Sequence, residues 1–438
     1  MAYPARLSLA LTGDSIILRR ISVYDDEATA ALYRLIQSAD VAFTNLEVLP
    51  NNFAGHPALE SGGSHFAAHD WVVDELQAVG FDLFSCANNH ALDYSTEGCV
   101  ATIEVLEQKG VAFAGIGRNL GAARMPVYFD SPAGSVAMIS CSSSFAKGQH
   151  AGEQRPDMQG RPGLNPIRYD TVYEVPADKL AMLRDLATEL GVEQRRIERL
   201  ASGFSFPPDD PDIFPFMDQN FRAAGQSAIR TTPNAKDMEA IARWARESAT
   251  RADLVMISLH AHEQGDSKEE PAEFIPVFCH AMIDAGAHMV VGHGPHLIRG
   301  MEIYNGKPIF YSLGNFIGQN ELVWRLPADS YERFRVDPSK TPGDVYRSRT
   351  NNDQQGFPSD SKYWESLMPV SRYEHGELAR IDVYPVTLGL GEPEYRRGRP
   401  RLAQGDEAAS ILNRFAHLSE AFGTAMDVDG EKATVTLR

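Results

Sequence analysis

Apolar positions recur along this chain with two different periods. Leu7, Leu9, Ala10 and Leu11 form a short buried-strand pattern that stops at the turn residues Gly13-Asp14. Val41–Asn45 predicts a second strand and Phe81–Cys86 a third. Between them, Val72, Val73, Leu76 and Val79 recur at helical spacing in Trp71–Val79, which stops at Gly80. Val100–Leu106 lies in a helix closed by Gly110 and followed by the strand Val111–Ala114. Strand and helix therefore alternate over the first 120 residues, the signature of an α/β layer fold. A hairpin is expected around Gly134, between Val127–Phe129 and Val136–Ile139. Alternation resumes with a helix over Met238–Ala249, a strand over Asp253–Leu259, a helix over Phe274–Ala285 and a strand over His288–Val291. Met301–Ile303 and Ile309–Ser312 form a hairpin turning at Asn305-Gly306. A strand over Leu378–Val386, a helix near 406–420 and a strand over Ala433–Leu437 end the chain.

Two stretches break the alternation. Residues 143 to about 235 are polar, Arg-rich and punctuated by Pro and Gly, with helical patterns near 178–190 and 193–201. Residues 320–375 set Trp324, Tyr331, Phe334, Tyr346, Tyr363 and Trp364 among charges. Both read as insertions. The expectation is a single catalytic domain over residues 1–390 interrupted at those two places, with the helix and strand of residues 391–438 packed on it.

Composition narrows the picture. With 41 Lys and Arg against 59 Asp and Glu in 438 residues, the formal charge is −18, which argues against coating nucleic acid. An anionic substrate would need a site carrying its own positive charge. No run approaches the roughly 20 apolar residues of a membrane helix, and the apolar patch at the N-terminus lacks a cleavage site. Cys86, Cys99, Cys141 and Cys279 lie far apart with no Cys-x-x-Cys pair, so reduced, buried thiols are expected. Together these features predict a cytoplasmic protein with no membrane or nucleic-acid partner.

Polar residues gather where the strands end. Asp14 follows the first strand, Asn45 and Glu47 the second, and Asn88, Asn89 and His90 the third; His260 and His262 end a later strand, and His293 and His296 follow the next. Ligand sites of open α/β sheets form outside the carboxyl ends of strands. Taken singly, Asp14 reads as a turn residue, Glu47 as a solvated charge and Asn88-Asn89 as turn chemistry. Together they make a mixed oxygen and nitrogen ligand set for one or two divalent ions, Mn²⁺ first, with Fe, Zn²⁺, Co²⁺, Mg²⁺ or Ca²⁺ as alternatives. In two-metal sites a carboxylate can bridge ions about 3.5–4 Å apart. His260 and His262 point to one face of a strand, and His293 and His296 flank the rigid Pro295. The remaining histidines read as ordinary, although His65 and His69 stand in a loop before a helix.

Leu11-Thr12-Gly13-Asp14, Thr44-Asn45-Leu46-Glu47, Ala87-Asn88-Asn89-His90-Ala91-Leu92-Asp93, Gly292-His293-Gly294-Pro295-His296 and Tyr311-Ser312-Leu313-Gly314-Asn315-Phe316 occur in that order. In these motifs the chain resembles the CapA family, linked to poly-γ-glutamate capsule synthesis and built on the calcineurin-like metallophosphoesterase fold. The resemblance covers about residues 6–142 and 236–386. It implies a four-layer αββα sandwich with a two-metal cleft at the strand ends. Asp14 and His296 then match ligands of a first ion, Glu47 the bridging carboxylate, and Asn89, His260 and His293 ligands of a second. His90 matches the substrate-facing general acid, with Asp93 orienting it. Three positions depart from the pattern: Ile16 replaces a histidine, Glu47 stands where an Asp is usual, and His262 adds an imidazole to the cleft.

The chain further resembles CapA-like epimerases of lasso-peptide precursors. That implies Cα epimerisation of a residue in a precursor peptide, with His90 and one of His262 or His296 as proton carriers. A metal-dependent hydrolase of phosphoester or γ-glutamyl bonds is the alternative expectation. A binding protein for polyglutamate or another anionic polymer is a third.

Overall fold

The structure, a computed structural model, describes residues 4–437. Leu7, Leu9 and Leu11 alternate with Ala10 along a strand, so one strand feeds two cores. The three leucines face a second sheet, while Ala10 faces helices. This strand, Leu7–Ile16, runs parallel to Val41–Leu46 and antiparallel to Glu365–Glu374 in a ten-stranded sheet. Leu83–Ser85 and Ala112–Ala114 extend the sheet on one side, and Glu377–Thr387 and Ala433–Thr436 on the other. A six-stranded sheet is centred on Leu254–His260, which is parallel to both Met289–His293 and Gly134–Ser142.

Helices cover both outer faces. Glu27–Gln37, Trp71–Val79 and Ser95–Gln108 bury Leu32, Ile36, Val72, Leu76, Ile103 and Leu106 against the first sheet. Ala235–Ser248 and Phe274–Asp284 bury Ile241, Ala245, Phe278 and Met282 against Val255, Ile257 and Val290 of the second. Between the sheets, Leu9, Leu11, Phe43 and Leu83 meet Met138, Met256, Met289 and Phe310. Each such side chain contributes about 1.5–3 kcal/mol when fully buried. The result is the αββα arrangement of the metallophosphatase-type α/β fold.

Three local expectations need correction. The first strand does not end at Leu11: it carries Asp14 inside it, because Asn315–Gly318 pairs with Asp14, Ser15 and Ile16 beyond a shift in register. Gly13 permits this close approach, since a Cβ there would lie 1.8 Å from the carbonyl oxygen of Gly314. Residues 365–374, grouped by composition with the second inserted stretch, form a strand at the heart of the first sheet. The stretch after Ser142 contains more than helices. Ala177–Glu189 and Val192–Ala201 are helical as expected, but they accompany a separate sheet ordered Phe214–Phe216, Gln219–Ala223, Tyr169–Val175 and Ala228–Pro233. Its core is small, built on Leu180, Ala187, Phe214 and Phe216. All four cysteines are buried and unbridged. No helix among the described residues is long and apolar enough to cross a membrane.

Candidate metal centre

Strand register brings the polar residues together. His260 pairs in register with His293 across two parallel strands of one sheet, and Asp14 pairs with Asn45 across two of the other. Both sheets present their carboxyl ends to the same place, so six segments distant in sequence converge there.

Two groups of side chains result, in each of which the ligand atoms lie within 4.8 Å of one another: Asp14, His260 and His293, and Glu47, His262 and His296. The first is buried completely. His260 Nδ1 lies 3.0 Å from His293 Nδ1, and His293 Nδ1 lies 3.5 Å from Asp14 Oδ1. Its outer contacts are well satisfied. Asn45 donates to Asp14 Oδ1 at 2.8 Å, the Gly294 N–H donates to Asp14 Oδ2 at 3.0 Å, and Ser258 Oγ lies 2.7 Å from His293 Nε2. Two imidazole nitrogens facing each other and a carboxylate suit a shared cation.

The second group is less satisfied. Glu47 is fully buried, yet neither of its side-chain oxygens has a hydrogen-bond partner among the described residues. His296 Nδ1 lies 3.8 Å from Glu47 Oε2, and His90 Nε2 lies 3.9 Å from Glu47 Oε1. A buried, unpaired carboxylate costs several kcal/mol unless a cation compensates it. The donor set therefore fits a divalent ion. Asp14, Glu47, His260, His262, His293 and His296 could hold it, with the Asn89 Oδ1, 3.0 Å from His260 Nε2, as a further oxygen. His296 Nδ1 is also 3.5 Å from Asp14 Oδ2, so this residue joins the two groups. His296 has φ 62°, a left-handed backbone in the bend Pro295–Leu297, and its Nδ1 lies 2.8 Å from Asn315 Oδ1.

The electrostatics follow from burial and proximity. Burial pushes the Glu47 carboxyl well above its ordinary value, and the neighbouring Asp14 charge pushes the same way. Burial would raise Asp14 as well, but its bond with His296 and the neighbouring imidazoles hold it far below the carboxylate range. Burial lowers His293 to about 4, and lowers His260 and His262 well below their usual value, with neighbouring imidazoles adding to the effect. Neutral imidazole is the metal-binding form.

His90 is the imidazole beside the ligand set that belongs to neither group. Its Nδ1 lies 2.7 Å from Asp93 Oδ2, an acceptor, so the proton sits on Nδ1 and Nε2 faces the cleft. Asp93 is fixed in turn by the Phe66 N–H at 2.7 Å, and the Phe66 ring packs on His90 with centroids 4.3 Å apart. Gly62 packs so closely that a Cβ there would come within 2.7 Å of His90 Nε2.

The structure thus gathers every residue singled out from the strand ends, but it groups them differently. Asp14 keeps company with His260 and His293, and His262 joins Glu47 and His296. Ile16 points into the helix-side core rather than into the cleft. His65 and His69 stay outside, contacting the Ala58 carbonyl and Asn52. Sequence reasoning missed Ser258 and the supporting contacts of Asn45 and Asn315. Ser258 had a signal, since it lies two residues before His260 and so shares its face of the strand. Asn45 and Asn315 lie inside motifs already recognised.

Residues 8–320 match the family of the bacterial capsule synthesis protein PGA_cap. The chain is 32% identical over 443 residues to the uncharacterized protein y4sH of Sinorhizobium fredii (strain NBRC 101917 / NGR234), covering 98% of this chain and 93% of that one. It is 23% identical over 322 residues to the capsule biosynthesis protein CapA of Bacillus anthracis, covering 71% and 60%. It is 22% identical over 348 residues to the PGA biosynthesis protein CapA of Bacillus subtilis (strain 168), covering 76% and 71%. On the match over most of its length, the chain belongs to the PGA_cap family of bacterial capsule synthesis proteins, the CapA family.

Proposed function

We propose that the chain is a metal-dependent enzyme acting on a peptide or polyglutamate chain, and that its reaction inverts one residue from L to D by exchange of the Cα proton. One observation carries this reading: His90 and His296 approach different oxygens of the same buried carboxylate, Glu47, at 3.9 and 3.8 Å. Inversion requires a proton acceptor on one side of the reacting carbon and a donor on the other. His90, fixed by Asp93, presents Nε2 to the cleft from one side. His296 meets the other Glu47 oxygen, with His262 beside it, their ring centroids 5.2 Å apart, so a carbon seated between the two oxygens would have an imidazole toward each side. A divalent ion held by Asp14, Glu47, Asn89, His260, His293 and His296 would act as a Lewis acid and offset the charge that develops on the substrate oxygen. The same positive charge makes an acidic substrate compatible with an acidic chain.

The names of the Bacillus relatives, capsule biosynthesis and PGA biosynthesis proteins, support a glutamate polymer as one substrate class. A lasso-type ribosomal precursor peptide is the other, suggested by the motif resemblance. Hydrolysis is a second reading, favoured by the His90–Asp93 pair, which suits protonation of a leaving group as well as proton return to carbon. Incubation with Mn²⁺ and either substrate in D₂O, followed by mass spectrometry, separates the two. A gain of one deuterium without cleavage is expected; fragments or released phosphate without deuterium at Cα overturn the epimerase reading.

A further inference from the structure

We infer that the cleft continues from its imidazoles into a carboxylate-selecting pocket, in which Lys268, with Arg349 beyond it, binds an acid group of the substrate. The inference rests on the reading of the cleft as a site for a peptide or polyglutamate chain, and adds to it the feature that would choose among such chains.

A cavity of about 280 Å³ is lined by His262, His296, Lys268, Phe357 and Tyr363. A second, of about 170 Å³, shares Lys268, Phe357 and Tyr363 and reaches Arg349. The Lys268 Nζ donates to the Tyr363 hydroxyl at 2.6 Å and makes no ion pair among the described residues. Arg349 donates to the Gly63 carbonyl at 3.3 Å and likewise has no carboxylate partner among the described residues. In a chain with 59 acidic against 41 basic residues, unpaired cations facing one cavity call for an explanation. Nearby acids are already engaged: Glu269 pairs with Lys362 at 2.9 Å and with Arg414 at 2.8 Å, and Glu321 in the cavity wall pairs with Arg397.

A lone surface lysine would carry little, but this one is held in place. Arg299, fully buried, donates to the backbone carbonyls of Lys268 and Glu263 at 3.0 Å, of His262 at 3.3 Å and of Ala261 at 3.4 Å. One guanidinium thus fixes the loop that carries both the cleft imidazole and the lysine. A substrate seated at His262 and His296 would meet Lys268, exposed at the cavity mouth, and the Tyr363 hydroxyl with its next acid group, through charge-assisted hydrogen bonds.

The acid group has two sources, a glutamate side chain or the carboxylate at the end of a chain. Three probes separate them: pentaglutamate amide, pentaglutamine with a free C-terminus, and pentaglutamine amide. Calorimetry on the full chain, both EDTA-treated and loaded with Mn²⁺, should find at least one acid-bearing probe about 10-fold tighter than the neutral one. Whichever probe keeps the advantage identifies the source. Lys268→Met should erase the discrimination, Lys268→Arg should retain most of it, and Arg349→Met should weaken it about 2–5-fold. Equal affinity of all three probes for the wild type, undetectable binding included, overturns the inference. So does discrimination that survives in Lys268→Met with an unchanged melting curve. Binding by the EDTA-treated protein needs no turnover. If discrimination holds while deuterium exchange fails, the epimerase reading falls and the pocket stands; exchange without discrimination gives the reverse.

Discussion

The two ligand groups sit side by side yet are built in opposite ways. Asp14, His260 and His293 are tied by their neighbours: Asn45, the Gly294 N–H and Ser258 satisfy their outward atoms. Glu47, His262 and His296 keep a carboxylate whose two oxygens find no hydrogen-bond partner among the described residues, and His262 and His296 line a cavity that leads outward. The inner group is pre-organised by the sheet, because its imidazoles come from paired strands. The outer group depends on loops, on a left-handed backbone at His296 and on a cation to complete it. The contrast teaches that strand pairing fixes the inner donors, while the outer donors keep bonding capacity that a cation would fill, beside the cavity through which substrate would enter.

Glu47→Gln should break the contrast most strongly. Proton exchange should fall about 1,000-fold, with loss of bound metal by elemental analysis. The metal-free variant should nevertheless be more stable than metal-free wild type by about 1–3 kcal/mol in urea unfolding, since a buried unpaired charge is gone. If both activity and stability fell, Glu47 would have hidden partners and the contrast would be lost. His90→Ala should cost about 100-fold in exchange while metal content stays at the wild-type level, because His90 belongs to neither group. Ser258→Ala should sharpen the inner half: metal affinity, read by chelator competition, should drop about 10-fold through the freed His293 ring, with the outer carboxylate untouched.

The same contrast should show in the pH dependence of stability. The folded state raises the Glu47 value above its ordinary 4.5, so metal-free wild type binds this proton more tightly folded than unfolded. Its stability should therefore decline as pH rises above 4.5, by up to about 1.4 kcal/mol per unit from this group. Asp14 acts in the opposite sense, since its lowered value contributes stability above 3.8 that is lost as pH falls. Denaturation of EDTA-treated protein across this range should show the Glu47 component vanish in Glu47→Gln and under saturating Mn²⁺.

Much of the cleft was legible because strand ends are easy to read. Apolar runs of four to seven residues followed by Asp, Asn, Glu or His mark both the strand and the functional residue beyond it. The same local logic misled at Gly13-Asp14. There a turn signature lies inside a strand, because the glycine is needed for the approach of Gly314 rather than for a turn. The extra sheet at Tyr169–Pro233 escaped notice because its strands are polar and half-exposed, so they lack the alternation that a buried face imposes. Residues 365–374 were grouped with their aromatic, charged neighbours because composition does not reveal where a loop re-enters a sheet.

The sequence by itself determined the alternating elements, the two covered sheets and the chemical nature of the donor set, since these follow from local periodicity and residue type. Only the tertiary structure decided which donors lie close enough to share an ion. Pairing register set His260 against His293, loop geometry brought His262 to Glu47, and burial left that carboxylate without a hydrogen-bond partner among the described residues. Register and burial arise from contacts between residues as far apart as 14 and 293, and no local pattern encodes the distance between two such atoms.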